Sequence, residues 1–337
     1  MAGRGGVALD AVATWYPDAA RRVSVPAALH PRKALMPGFT RQLVAFGRTI
    51  RLSHSLFALP FAVGTALVAE PPVPAAGALA LIVACMVAAR TAAMGMNRVA
   101  DAALDARNPR TAGRAIPAGR LSRRAALGLT LASAAAFVAL AWGFYPLRAT
   151  PWPGLLAVPF LAVLLGYSWT KRVTLLTHWI LGLALGLSPV GVWVALRGEV
   201  GGVAVLIGAG VVFWTAGFDI LYAFQDVAVD RREGLHSIPA RLGPRGARWV
   251  AVACHAVTVG LLAAAILYNQ RPQGEAVLGE GSAVALQVIA LALLVQHVRL
   301  WNATADHIAR VFLPMNAMVS MIWLGGVVYD VVAHVHE

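Results

Sequence analysis

The chain has 337 residues, of which 59% are hydrophobic and only 13% are charged, and its formal net charge is +13. Soluble domains carry about 25% charged residues, so this composition excludes an ordinary water-soluble globule and indicates a membrane protein. The positive charge is almost wholly arginine, because Lys33 and Lys171 are the only lysines. These arginines lie between apolar runs and not on one polar domain, which argues against nucleic-acid binding.

The chain begins with a polar arm and continues into a long series of apolar runs. Residues 1–44 are predicted to be a disordered arm or to include a wrongly assigned start, since Met36 opens a basic stretch that leads into the first run. Residues 45–334 are predicted to form one membrane domain. A membrane-spanning helix needs about 20 mostly apolar residues. The prediction is an all-α bundle of nine transmembrane helices at 52–70, 76–97, 125–146, 151–169, 175–196, 202–224, 249–268, 282–300 and 311–334.

The connections between the predicted spans alternate in positive charge. No lysine or arginine follows the first span, and single arginines follow the third, fifth and seventh spans. The connections after even-numbered spans are basic, with Arg107, Arg110, Arg114, Arg120, Arg123, Arg124, Lys171, Arg172, Arg231, Arg232, Arg241, Arg245, Arg248, Arg299 and Arg310. The positive-inside rule therefore predicts a cytoplasmic N-terminus, basic connections in the cytoplasm and an external C-terminus.

A first acidic cluster follows the second predicted span. Asn97, Asp101 and Asp105 are spaced i, i+4 and i+8. On a helix this spacing places three oxygen-bearing side chains in one stripe. Arg90 lies seven residues before Asn97, which puts it on the same face and deeper in the bilayer. Pro109 is predicted to end this helix.

A second acidic cluster ends the sixth predicted span. Asp219, Tyr222, Asp226 and Asp230 are spaced to share one helical face. The basic segment 231–248, which contains glycine and proline, follows this cluster. It is predicted to be either a lid over a bound ligand or a simple cytoplasmic loop.

The acidic clusters predict a cation site. Aligned carboxylates repel one another strongly in a medium of low dielectric, and ionisable residues inside spans usually face a cavity or a partner. Carboxylate oxygens suit Mg²⁺, which takes one or two carboxylates together with substrate phosphates. A plain pairing of each aspartate with a nearby arginine is the simpler explanation for one acid. Two clusters with matched spacing on one side of the membrane favour a functional site.

Other polar residues in apolar runs carry weaker signals. Cys85 and Cys254 are predicted to be small core residues, and no cysteine–histidine cluster offers a zinc site. His178 and His255 are expected to have structural roles. For His54, a packing role and a substrate contact are equally compatible with the sequence.

The two motifs resemble those of the UbiA family of intramembrane prenyltransferases. The matching residues are Asn97-x-x-x-Asp101-x-x-x-Asp105 and Asp219-x-x-Tyr222-Ala223-x-Gln225-Asp226-x-x-x-Asp230. The spacing between the motifs and the nine-span layout also agree, and the resemblance covers about 45–334. It implies an intramembrane transfer of a polyprenyl group from an allylic diphosphate to an aromatic acid.

Further segments are similar to the 4-hydroxybenzoate polyprenyltransferase branch of this family. They are residues 54–61, 167–172 and 234–239. Residues 108–114 and 217–222 are similar to a subgroup that includes enzymes acting on 1,4-dihydroxy-6-naphthoate for menaquinone. Both acceptors are aromatic carboxylates that bear a hydroxyl group. The resemblance therefore favours 4-hydroxybenzoate in quinone biosynthesis and leaves the naphthoate open as an alternative.

The resemblance implies Mg²⁺ as the cofactor and assigns roles to the residues of both motifs. The implied metal ligands are Asp101, Asp105, Asp226 and Asp230, together with Asn97; Asp219 would extend the second ligand stripe. The implied phosphate-binding residues are Arg110, Arg114 and Lys171. Tyr222 would stabilise an allylic cation or orient the acceptor. Arg90 would pair with the carboxylate of the acceptor, or alternatively would only neutralise Asp101 or Asp219.

Two other classes of membrane protein remain as alternatives. Buried aspartates also mark ion-coupled transporters, although both clusters lie at one membrane face and no inverted repeat is visible. Phospholipid-head-group transferases use aspartates and metals too, but their signature is a single contiguous motif. The expected partners are a polyprenyl diphosphate, an aromatic acid and the lipid bilayer. The expected location is the cytoplasmic membrane, with the active site facing the cytoplasm.

Overall fold

The computed structural model describes residues 38–50, 57–270 and 277–336, and within these ranges the regular structure is helical. The helices are α1 (Phe39–Ile50), α2 (Leu59–Ala69), α3 (Ala76–Ala100), α4 (Ala102–Arg107), α5 (Arg123–Trp142), α6 (Phe144–Arg148), α7 (Trp152–Thr170), α8 (Thr177–Arg197), α9 (Gly202–Tyr222), α10 (Val227–Arg232), α11 (Ile238–Asn269), α12 (Glu280–Leu300) and α13 (Ala305–His336). A 3₁₀ turn at Ala223–Asp226 separates α9 from α10. The predicted all-α membrane fold is confirmed.

Eight helical segments in the described ranges are long and apolar enough to cross a bilayer. They comprise α3, α5 with α6, α7, α8, α9 with α10, α11, α12 and α13. The first predicted span corresponds to α2, which has 11 residues and is apolar but shorter. His54 and the rest of residues 51–56 lie outside the described residues. The count of nine spans therefore stays a prediction.

Helix α9 lies at the centre of the bundle and contacts α8 and α11 along its length. Its side chains Ile207, Val211 and Trp214 are fully buried. Helices α8 and α9 approach closely, because Gly186 and Gly208 face one another where their backbones meet. Small residues at such crossings let membrane helices pack backbone to backbone. This close approach sets how far apart α8 and α9 hold their polar side chains.

Both acidic motifs lie on interrupted helices, whereas the sequence predicted one continuous helix for each motif. Helix α3 ends at Ala100, and Asp101 has φ −90° and ψ 2°, before α4 begins at Ala102. In the second motif the chain tightens into the 3₁₀ turn that ends at Asp226. A 3₁₀ turn advances about 120° per residue against about 100° in an α-helix, so it rotates Asp226 about the helix axis. Across the first break, Asp101 N still donates to Asn97 O and Asp105 N to Asp101 O, so the i, i+4 succession of these three residues is kept.

The basic segment 231–248 is largely helical, which corrects the predicted loop. Helix α10 runs to Arg232, and α11 begins at Ile238, with a kink at Gly243. Gly243 has φ 70°, in the left-handed region that glycine adopts without strain.

At the other end of the domain, the boundary predicted at residue 44 falls inside α1, which packs against α3 and α5.

Candidate active site

One cavity of about 1270 Å³ opens among helices α1, α3, α4, α7, α8, α9, α10 and α13. Every site residue predicted from the sequence lines it: Arg90, Asn97, Asp101, Asp105, Arg110, Arg114, Lys171, Asp219, Tyr222, Asp226 and Asp230. The two motifs, which are more than one hundred residues apart in the chain, therefore converge on one hollow.

The first motif places two buried carboxylates at the cavity wall. Asp101 is 3% exposed, and its oxygens lie 3.0 Å from Lys171 Nζ and 3.3 Å from Arg172 Nη2. Asn97 Nδ2 donates a further hydrogen bond of 3.1 Å to Asp101. Asp105 is buried as well and pairs with Arg114 Nη1 at 2.6 Å. Basic residues thus neutralise both acids, as a medium of low dielectric requires.

The second motif is joined directly to the segment that follows the first. Arg110 donates from Nη2 and Nε to the two oxygens of Asp226, at 2.5 and 3.1 Å. Asn108 Nδ2 donates to the same carboxylate at 2.9 Å. Burial alone would lower the pKa of Arg110, but the adjacent Asp226 carboxylate raises that pKa above its ordinary value. The bidentate contact fixes the two motifs against one another across the cavity.

The remaining residues of the second motif have different surroundings. Asp219 Oδ2 forms a hydrogen bond of 2.7 Å with His178 Nδ1. Asp230 is buried, at 7% exposed. The ring of Tyr222 packs on that of Phe312, with centroids 4.2 Å apart. Tyr222 therefore presents an aromatic surface beside the acids, not another charge.

Several cavity residues, Arg90 among them, carry buried polar atoms without a hydrogen-bond partner in the described part of the chain. These atoms include Arg90 Nε, Asp105 Oδ2, Ser168 Oγ and Thr215 Oγ1. The described residues show no ion pair between Arg90 and either Asp101 or Asp219. Buried polar atoms normally have a hydrogen-bond partner, so several unpaired polar atoms around one cavity point to a bound ligand.

In the described ranges no three acidic, histidine or cysteine side chains converge closely enough to hold a metal ion. The contacts above give the reason, because Asp101, Asp105 and Asp226 are each turned toward a basic side chain. Release of these pairs would free hard oxygen donors from both motifs toward the same cavity, and such donors suit Mg²⁺.

Three residues of the site were not assigned to it from the sequence. Asn108 and Arg172 contact Asp226 and Asp101, although each lay inside a segment noted for its resemblance. His178, expected to be structural, lines the cavity and bonds Asp219. Its only sequence signal is its place shortly after the basic pair Lys171 and Arg172, at the start of the next apolar run.

The fold and the site define a membrane-embedded helical protein with two aspartate motifs around one cavity. The chain belongs to the UbiA prenyltransferase family, whose sequence profile matches residues 57–322.

Several curated relatives carry 4-hydroxybenzoate prenyltransferase names, and the protoheme IX farnesyltransferase of Acidiphilium cryptum is also a relative, 34% identical over 49% of this chain and 51% of its own length. The 4-hydroxybenzoate solanesyltransferase of Synechocystis sp. is 30% identical over 57% of this chain and 63% of its own length. The 4-hydroxybenzoate octaprenyltransferase of Photobacterium profundum is 32% identical over 60% of this chain and 68% of its own length. The match thus spans about two thirds of the Synechocystis and Photobacterium relatives.

Solved structures share the fold over nearly their whole length. A UbiA homologue from Aeropyrum pernix in its apo form is 33% identical, with a TM-score of 0.72 over 83% of this chain and 98% of its own. A UbiA homologue from Archaeoglobus fulgidus bound to GPP and Mg²⁺ is 19% identical, with a TM-score of 0.58 over 84% of this chain and 99% of its own. The second likeness concerns the fold alone.

Proposed function

We propose that this protein transfers a polyprenyl group from an allylic polyprenyl diphosphate to a ring carbon of a 4-hydroxybenzoate-type acceptor, with Mg²⁺ as the cofactor. The observation that carries the proposal is the convergence of both aspartate motifs on one cavity that also contains Arg90. The names of several curated relatives support the same reaction.

The donor set of the cavity fits Mg²⁺. Asp105 Oδ2 is buried and lacks a hydrogen-bond partner among the described residues, which leaves it available as a ligand. Asp101, Asp105 and Asn97 would hold metal on one wall, and Asp226 and Asp230 on the other. When bound, the metal would withdraw charge from the leaving diphosphate as a Lewis acid. A UbiA homologue from Archaeoglobus fulgidus with the same fold was solved bound to GPP and Mg²⁺, which supports the choice of metal.

The basic residues that now neutralise the acids would bind the diphosphate. Arg110, Arg114 and Lys171 each contact one motif aspartate and line the cavity. With a diphosphate bound, these cations would pair with phosphate oxygens, where charge-assisted hydrogen bonds are strong. They would then stabilise the negative charge that develops as the diphosphate leaves.

The acceptor would bind deeper than the metals. Arg90 lies seven residues before Asn97 on the same helix, which places it about 10 Å further along the axis. Its buried Nε has no hydrogen-bond partner among the described residues, and a carboxylate would satisfy it. Tyr222 and Phe312 would stabilise an allylic cation through their ring faces.

The reaction balances without an external oxidant or reductant. The bond between the allylic carbon and the diphosphate oxygen breaks, and its electron pair leaves with the diphosphate. A ring carbon ortho to the acceptor hydroxyl supplies the electron pair of the new carbon–carbon bond. The proton on that ring carbon then leaves, and aromaticity returns. The protein positions the reactants and stabilises charge.

The direct test is turnover by the purified protein in lipid nanodiscs. We expect prenylated 4-hydroxybenzoate by mass spectrometry, with one diphosphate released per product, when Mg²⁺ and allylic diphosphates of several lengths are supplied. A chelator should stop the reaction, and added Mg²⁺ should restore it. Asp226→Asn should reduce turnover by about 1000-fold or more, because it removes a ligand and a charge at the leaving group.

A matched control for this substitution is Asp306→Asn. Asp306 is exposed in the first turn of α13 and does not line the cavity. The Asp306→Asn variant should turn over substrate at the wild-type rate. An intact wild-type protein that releases no diphosphate, but carries ions across vesicle membranes, would refute the enzyme and support an ion-coupled transporter.

A naphthoate acceptor is the alternative within the same chemistry. 1,4-Dihydroxy-6-naphthoate also offers a carboxylate for Arg90 and a hydroxyl group beside a reactive ring carbon. An acceptor panel with both compounds separates the two, since kcat/KM should favour the true acceptor by about tenfold or more.

The proposed location is the cytoplasmic membrane, with the cavity mouth in the cytoplasm. The cavity lies at the end of the bundle that carries the basic connections, including Arg110 and Lys171. Fusions of alkaline phosphatase or green fluorescent protein after α4 and after the C-terminus test this topology. Phosphatase activity of the fusion after α4 would show that this segment lies outside the cytoplasm and would refute the proposed orientation.

A further inference from the structure

One histidine bridges the second acidic motif and the start of α11. His178 lies in the first turn of α8, is 2% exposed and lines the cavity. We propose that His178 is a positioning residue that fixes the Asp219 carboxylate for a hydrogen bond from the hydroxyl group of the aromatic acceptor. The inference rests on the proposed function and adds a second contact, besides Arg90, for the acceptor.

The two hydrogen bonds of His178 determine which ring nitrogen carries the proton. The backbone N–H of Ile238 lies 3.2 Å from His178 Nε2, and a backbone N–H can only donate. Nε2 is therefore the unprotonated nitrogen, and Nδ1 carries the proton of the neutral ring. Nδ1–H then donates to Asp219 Oδ2 over 2.7 Å. The imidazole thus fixes one carboxylate oxygen by a directed hydrogen bond.

Asp219 differs from the other motif aspartates in its partner. Asp101, Asp105 and Asp226 each contact a lysine or arginine. Among the described residues the only hydrogen-bond partner of Asp219 is His178, and the Asp219 side chain is 26% exposed. Its remaining acceptor capacity therefore faces the cavity, where a ligand can donate to it.

The acceptor needs two kinds of contact at its two polar groups. Its carboxylate calls for a cation, which Arg90 supplies, and its hydroxyl group calls for a hydrogen-bond acceptor, which Asp219 supplies. A hydrogen bond from the hydroxyl group to a carboxylate leaves more electron density on the ring. The ring carbon ortho to that hydroxyl then attacks the allylic carbon more readily. Correct orientation of Asp219 therefore affects the chemical step as well as binding.

The bond to Ile238 fixes the histidine itself. Ile238 is the first residue of α11, and its N–H is one of the helix N-terminal donors that lack an intrahelical partner. Nearby, His236 N donates to the carbonyl oxygen of Lys171 over 2.7 Å, so the segment before α11 is also tied to the end of α7. The ring of His178 is thereby held between two fixed points, and its hydrogen bond to Asp219 has little freedom.

Two amide substitutions separate the two bonds of His178. The side-chain amide of His178→Asn can place a donor near the position of Nδ1 and so keep the bond to Asp219. The longer His178→Gln reaches the position of Nε2, so it keeps an acceptor for Ile238 and loses the donor to Asp219. Exposed His307, which does not line the cavity, provides the control His307→Ala.

Steady-state kinetics with Mg²⁺, allylic diphosphate and 4-hydroxybenzoate test the inference. We expect His178→Ala and His178→Gln to lose about 10- to 100-fold in kcat/KM for the acceptor, with the KM for the diphosphate unchanged. His178→Asn should recover most of that loss, and His307→Ala should match wild type. In an Asp219→Asn background, His178→Ala should cost little more, because the two residues act as one unit. Rescue by glutamine instead of asparagine, or a full additional loss in that background, would overturn the assignment.

A measurement that does not depend on turnover decides the same point. Solid-state NMR of ¹⁵N-histidine-labelled protein in lipid bilayers reports which ring nitrogen carries the proton, and the His178 signals are those absent from His178→Asn. We expect protonated Nδ1 and unprotonated Nε2. The opposite tautomer would refute the inference whether or not the protein is active. A correct tautomer in a protein without turnover would count against the proposed function and leave the His178–Asp219 bond standing.

Discussion

The contact between α8 and α9 yields a sharp test of how packing controls the site. We consider Gly208→Ala. A Cβ at Gly208 would lie 2.5 Å from the carbonyl oxygen of Gly186, and real Cβ contacts essentially never fall below 3.0 Å. The helices must therefore separate by about 0.5 Å at this point, since both partners are backbone that cannot rotate away.

The separation should reach the cavity because the same two helices carry His178 and Asp219. Their hydrogen bond is 2.7 Å long, so an added 0.5 Å would bring it to about 3.2 Å, the outer limit of a good bond. Overpacking of this kind lowers the free energy of unfolding by about 1–3 kcal/mol. The better helix propensity of alanine raises the free energy of unfolding by up to about 1 kcal/mol, which offsets only part of the loss. We expect lower thermal stability and a higher KM for the aromatic acceptor.

The assay pairs thermal stability in detergent, measured as the monodisperse fraction after heating, with acceptor kinetics. Gly260→Ala is the matched control, because Gly260 lies on an exposed face of α11 and a Cβ there would meet nothing within 4 Å. It should leave both quantities near wild type. Equal melting temperatures and equal acceptor KM values for the two variants would refute the link between the α8–α9 crossing and the site.

Three further substitutions test other parts of the structure. Asp330 is buried and accepts from the backbone of Gly279, Gly281 and Ser282, so Asp330→Ala should lower the unfolding free energy by about 3 kcal/mol, seen as a lower melting temperature with unchanged KM values. Under the proposed function Arg110 binds the diphosphate, and Arg110→Lys replaces its forked guanidinium with a single ammonium, so the KM for the diphosphate should rise about tenfold while that for the acceptor stays constant. Arg90→Ala should raise the KM for the aromatic acid; an equal rise for the diphosphate would contradict its assigned role.

Much of the candidate site could be predicted because acids are rare in this chain. Only 15 acidic residues occur in 337, so the regular spacing of Asp101 with Asp105 and of Asp226 with Asp230 is conspicuous. Their convergence follows from placing both clusters at the same end of membrane-spanning helices. The apolar runs likewise predict most of the spans, since length and hydropathy suffice.

The sequence could not predict the local breaks or the long-range pairs. The bend at Asp101 and the 3₁₀ turn before Asp226 interrupt otherwise regular helices, and no proline or glycine marks either place. The hydrogen bond from Asn108 to Asp226 and that from Ile238 to His178 join residues far apart in the chain. Periodicity describes one element at a time, so contacts between elements are invisible to it.

The pairing of acids with basic side chains follows from the need to neutralise charge at the membrane in every state of the site. Buried carboxylates such as Asp101 and Asp105 require a nearby countercharge, because low dielectric makes an unpaired charge very costly. Without ligand, Lys171 and Arg114 provide it. Under the proposed function, the carboxylates would hold Mg²⁺, and these basic side chains would pair with the diphosphate when it is bound. The same basic side chains can thus serve both states, which explains why they lie beside the acids and not on a separate wall of the cavity.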